Sequence, residues 1–114
     1  MKPLPKPLLD RMIANFRTNQ QGQKEVDHHP VVKLFTPDAQ ATWLLSEFDP
    51  EEGLFFGLCD LGAGFPELGY VALVELQELR GRLGLPVEQD CWFQADKPLT
   101  AYAREARAAG HITA

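Results

Sequence analysis

Cysteine is scarce. Cys59 and Cys91 allow at most one disulfide, and no Cys-x-x-Cys pair is present to hold zinc or to cycle between thiol and disulfide. No stretch approaches the ~18 consecutive apolar residues of a membrane-spanning helix. The opening Met1-Lys2-Pro3-Leu4-Pro5-Lys6-Pro7 lacks the apolar core of a secretory signal. These absences predict a cytoplasmic protein with no membrane association, whose two cysteines stay reduced and serve as small buried hydrophobes. Also missing are Gly-x-Gly-x-x-Gly, a Walker loop, a Gly-x-Ser-x-Gly elbow and His-Glu-x-x-His, so nucleotide use, serine hydrolysis and zinc-dependent proteolysis have no signature. No cofactor is expected.

Basic residues are rare in the middle of the chain. Between residues 27 and 78, Lys33 alone stands against ten acids, while the first 26 residues and the last 36 are weakly basic; the whole carries -5. A phosphate-binding surface needs clustered Lys and Arg, so this distribution disfavours broad nucleic-acid contact and suits a basic partner. With 114 residues, 45% hydrophobic and 24% charged, the chain is sized for one folded domain.

Pro3, Pro5 and Pro7 make residues 1 to 6 an extended arm. Leu9, Met12, Ile13 and Phe16 then repeat at helical spacing, which predicts a first helix from Pro7 or Leu8. Residues 18 to 29 are polar and aperiodic and read as a flexible loop. Val31–Phe35 and Ala41–Phe48 read as a hairpin, and Asp49-Pro50-Glu51-Glu52-Gly53 as a turn. Leu54–Cys59 reads as an interior strand whose Gly57 marks a bulge or a close backbone approach. Leu68–Leu73 can form a short strand leading into a helix with Leu73, Leu76, Leu79 and Leu83 on one stripe, stopped by Gly81, Gly84 and Pro86. Val87–Phe93 is the last strand. Pro98 starts a closing helix with Leu99, Tyr102, Ala103 and Ala106 inward, and residues 110 to 114 form a tail. The prediction is a single α+β domain: a mainly antiparallel sheet of four to five strands covered by about three helices.

Few residues point to chemistry. Asp27, His28 and His29 are divalent-metal ligand types in one loop, and with His111 or Asp60 they would support a metal-assisted hydrolase; solvated loop histidines account for the same residues. Asp60 with Glu47, Asp49 and Glu67 would make an acid and base pair if the strands brought them together, whereas turn capping explains them without a reaction. Trp43, Phe48, Phe55, Phe56, Phe65, Tyr70, Trp92 and Phe93 fill the core, with Tyr70 and one tryptophan reaching the surface. Exposed aromatics beside Arg80 and Arg82 would instead suit single-stranded nucleic acid. Glu67, Gly69 and Tyr70 with Arg80 and Arg82 form a dense polar and aromatic set. Gly69 can hold a backbone angle closed to other residues, and Glu67 can pair with Arg80 or Arg82 to pin the helix.

Leu54-Phe55-Phe56-Gly57, Pro66-Glu67-Leu68-Gly69-Tyr70 and the run Glu75-Leu76-Gln77-Glu78-Leu79-Arg80 leading into Gly84-Leu85-Pro86 follow Thr42-Trp43 and the acidic turn in order. Over residues 31 to 94 this pattern resembles the small bacterial family termed domain of unknown function 2958. The resemblance implies an accessory gene of plasmids and integrated elements, and it brings no catalytic residues. One departure is the lack of a small polar residue ahead of the Glu-Leu helix, where Ala72 and Val74 stand, which weakens its N-cap.

The chain therefore reads as a non-enzymatic accessory protein that binds another protein through an acidic sheet and its turns. Glu67, Tyr70, Arg80, Arg82, Asp60 and Trp43 are the candidate contact residues. A free apolar strand edge would admit a homodimer, but periodicity does not say which edge is free.

Overall fold

The computed structural model describes residues 1–22 and 24–114. Its elements, in chain order, are α1 (Lys6–Gln21), β1 (Val32–Phe35), β2 (Thr42–Asp49), β3 (Leu54–Asp60), β4 (Glu67–Ala72), α2 (Leu73–Glu78), β5 (Glu88–Gln89) and α3 (Leu99–Ala109). The strands form one antiparallel sheet in the order β4-β3-β2-β1-β5. The α+β architecture expected from the sequence is present.

Alternation along the strands sends apolar side chains to both faces, so both must be covered. On one face Trp43, Leu45, Phe55 and Val32 pack with Met12 of α1 and Leu76 of α2; on the other, Leu44 and Leu58 pack with Leu99, Tyr102, Ala103 and Ala106 of α3. Met1 and Leu4 lean on the first of these clusters. Ile112 joins the second, its N–H held by the buried Asp60 carboxylate at 2.9 Å. Both chain ends are therefore docked.

A shift in register between Leu45 and Glu47 marks a bulge in β2. Opposite it, a Cβ on Gly57 would stand 2.1 Å from the Leu44 carbonyl oxygen and 2.8 Å from the Leu45 Cα. The bulge and the close approach that Gly57 predicted are thus one feature, because the extra residue pushes the neighbouring backbone inward.

Four expectations are corrected. Residues 18 to 21 belong to α1, and Asn19 ties the following segment back by accepting from the Val26 N–H at 2.7 Å and donating to its carbonyl at 3.0 Å. The predicted loop also contains Gln23, which lies outside the described residues. Second, α2 ends at Glu78, and Arg80 to Pro86 form a tight reversal in which Leu83 is exposed. Asp38, 45 residues away, holds that reversal by accepting from the Leu83 and Leu85 N–H groups at 2.6 and 3.2 Å. Third, β5 shrinks to two residues because Asp90 turns the chain, its side chain accepting from the Trp92 N–H. Last, Gly69 keeps an ordinary strand backbone opposite Gly57, with no positive φ.

Candidate functional site

One end of the sheet collects acid. The turn joining β2 to β3 carries Asp49, Glu51 and Glu52, and the Leu73 N–H donates to the Gly53 carbonyl at 2.9 Å, which holds the start of α2 against that turn. Glu75 and Glu78 follow on α2. The turn is built locally: Asp49 accepts from the Glu51 and Glu52 N–H groups, and Gly53 takes a φ of 67°, a left-handed angle that suits glycine. Among the described residues, the ion pairs are Lys6–Asp10, Lys33–Asp90, Lys97–Asp96 and Lys97–Glu105, so the acids at this end meet no cation.

Beside that acid lies an incompletely covered part of the sheet. Tyr70 of β4 stands opposite Phe56 of β3, and their rings meet at 5.1 Å between centroids. Phe56 packs against the cluster under α3, but Tyr70 at the edge of the sheet remains 71% exposed. Glu47 is paired with Phe56 in register. Burial pushes its carboxyl above the ordinary glutamate value, a rise opposed by the hydrogen bond from Asn19 and reinforced by Glu25.

The remaining expected contact residues divide between surface and interior. Glu67 opens β4 and is exposed, as are Arg80 and Arg82. The predicted pinning pair does not form among the described residues: Arg80 instead donates to the Gln77 and Leu79 carbonyls at 2.9 and 2.8 Å, satisfying the end of α2. Trp43 is 2% exposed and Asp60 3%, so their side chains serve the interior. Asp60 accepts from Gly62 and Ile112. It also lies opposite Thr42, at the far end of β2 and β3 from Glu47 and Asp49, while Glu67, opposite the neighbouring Cys59, turns to the other face of the sheet, so the carboxylates proposed as an acid and base pair do not converge.

The metal-ligand candidates Asp27, His28 and His29 are not drawn together into one cluster. Among the described residues no three His, Cys, Asp or Glu side chains gather to hold an ion. Asp27 is engaged elsewhere: its carboxylate accepts from the Thr100 N–H at 3.2 Å and from the Thr100 hydroxyl, while the His28 carbonyl accepts from the Leu99 N–H at 3.0 Å. The N-cap of α3 is Pro98, which has no side-chain acceptor. Asp27 supplies one from 73 residues away. His28 turns inward, its Nε2 enclosed without a hydrogen-bond partner, and His29 points to solvent.

Trp43, Phe48 and Phe55 are buried, while Tyr70 and one tryptophan, Trp92, reach the surface as expected, at 71% and 93% exposed; Phe65, expected in the core, is 79% exposed. Cys91 is exposed rather than buried. Half-buried Cys59 has its thiol pushed up to about 11, by burial first and then by Glu75. It stays protonated at neutral pH and is no thiolate nucleophile. Ala72 is the N-cap of α2 and makes no side-chain cap, as expected; Glu75 compensates by accepting from the Ala72 N–H at 3.3 Å. No helix of the described residues is long and apolar enough to cross a membrane.

The family model "Protein of unknown function (DUF2958)" matches residues 4–113, almost the whole chain. The chain belongs to this family. The match takes in α1 and α3, which lie outside the residues that carried the resemblance in the sequence, so both helices are part of the family's domain. No curated protein and no solved structure matches the chain.

Proposed function

We propose that this family member is a non-catalytic accessory protein of a bacterial mobile element and that it acts by binding another protein. The surface is the acidic end of the sheet: Asp49, Glu51 and Glu52, Glu75 and Glu78, with the Tyr70–Phe56 pair beside them and Glu67 farther along β4. The observation that carries this reading is that these acids have no cationic partner among the described residues and flank a tyrosine whose ring stands largely in solvent. Unpaired charge around an exposed aromatic supplies both steering and an anchor for a basic partner. Arg80 lends no support to a nucleic-acid reading, because its guanidinium already serves the end of α2.

The test is capture from an extract of the source cells on immobilised protein, with mass spectrometry of what is retained. Wild type is compared with the triple variant Glu51→Lys, Glu52→Lys, Glu75→Lys. A basic protein retained by wild type and lost by the variant supports the reading. Identical retention by both, or retention of nucleic acid alone, contradicts it.

A further inference from the structure

The two edges of the sheet are unequal: β5 is two residues long, whereas β4 presents six residues with no strand beside them. The bond from the Leu73 N–H to the Gly53 carbonyl fixes the phase of the ladder between β3 and β4. In an antiparallel ladder every second residue exchanges both its bonds with its partner, so Val71, Gly69 and Glu67 bond inward to β3. Leu68 and Tyr70 therefore turn their N–H and C=O groups outward. The next outward N–H on one side, that of Ala72, is already held by Glu75 at 3.3 Å, and on the other side Pro66 has none. The edge thus offers two complete residues, symmetric about Gly69. The strand has no lysine, no proline within it and no bulge, and its one charge, Glu67, stands at its start.

We propose that β4 pairs antiparallel with β4 of a second copy of this chain, the two-fold axis passing through Gly69, so that the two sheets join into one of ten strands. The register follows from the free groups. Centred on Gly69, Leu68 of each copy faces Tyr70 of the other and every outward group of both residues is bonded. Centred on Leu68, Tyr70 would face Pro66, which has no N–H; centred on Tyr70, Leu68 would face Ala72, whose N–H is taken. The flanks agree with this choice. It brings Phe65, 79% exposed, opposite the start of the other copy's α2, where Val74 is 57% exposed. A Cβ on Gly69 would meet nothing within 4 Å, so a side chain can be placed at this position without disturbing the fold. This pairing goes beyond the partner reading: it is made by the backbone of β4 and leaves the Asp49–Glu52 turn open, sharing only Tyr70 with the partner surface.

Sedimentation velocity of the whole chain, from micromolar to near-millimolar concentration, tests the proposal. A species of twice 12.8 kDa is expected. Tyr70→Pro removes an outward N–H without touching the ladder to β3, and it should give a monomer with unchanged circular dichroism. In a Cys91→Ser background, Gly69→Cys should cross-link the copies on mild oxidation, because residues facing each other at a non-bonded position lie about 4.5 Å apart, within disulfide reach. A wild-type monomer throughout the range overturns the proposal. So does a dimer that survives Tyr70→Pro with its fold intact, or a Gly69→Cys variant that does not cross-link. A monomer that still captures a partner through the acidic end would overturn this inference alone.

Discussion

Replacing Asp27 by alanine removes the acceptor that finishes α3. Its carboxylate takes the Thr100 N–H at 3.2 Å and the Thr100 hydroxyl, and Pro98 at the N-cap offers no substitute. Loss of a side-chain N-cap costs about 1 kcal/mol, and a charged acceptor near the positive end of a helix raises this toward about 2 kcal/mol. For a chain of this length about 1 kcal/mol corresponds to roughly 4 °C, so Asp27→Ala should lower the melting temperature by about 4–8 °C. Asp27→Asn keeps one acceptor without the charge and should lose about half as much. Thermal unfolding followed by circular dichroism reads the effect, with and without zinc. Capping predicts a loss that is the same in both conditions. A melting temperature that rises with zinc in wild type and not in Asp27→Ala would refute capping and restore the metal reading. A change of less than about 1 °C would show that the contact carries little.

Gly57→Ala should be among the most damaging single changes, about 3 kcal/mol or more in urea unfolding, because the new methyl meets backbone at 2.1 Å; a loss under about 1 kcal/mol would mean that the bulge yields easily. Alkylation at pH 8 should modify exposed Cys91 quickly and Cys59 slowly, since a thiol at about 11 is then thiolate in about one molecule per thousand; equal rates would contradict the burial assigned to Cys59. Glu47 binds its proton more tightly in the folded chain, so its contribution to stability is greatest below the ordinary value of 4.5 and falls as pH rises through the raised value. Glu47→Gln should remove that decline, and unfolding at a series of pH values that gave parallel curves for the two proteins would exclude it.

Elements fixed by local pattern were legible in the sequence. The stripe Leu99, Tyr102, Ala103, Ala106 is buried residue for residue, and Met12 sits at the centre of the stripe read for α1. What escaped was decided by distant groups. Leu79 and Leu83 continue a helical spacing, yet Asp38 holds the chain in a reversal there, and no local signal near Leu83 announces a carboxylate 45 residues away. Asp27 beside two histidines resembles a ligand set until α3 arrives to use it. At the candidate site the acidic turn and Tyr70 were visible. The exposure of Phe65, the burial of Trp43 and Asp60, and the outward phase of β4 depend on strand order and register, which residue types alone do not specify.

The central claim, recognition by the acidic end of the sheet, is tested most directly by amide hydrogen exchange of the chain alone and bound to the protein it captures. The account predicts slowed exchange over residues 47–56 and 67–78 on binding. Slowing confined to residues 24–31 and the start of α3, or to residues 85–91, would contradict it.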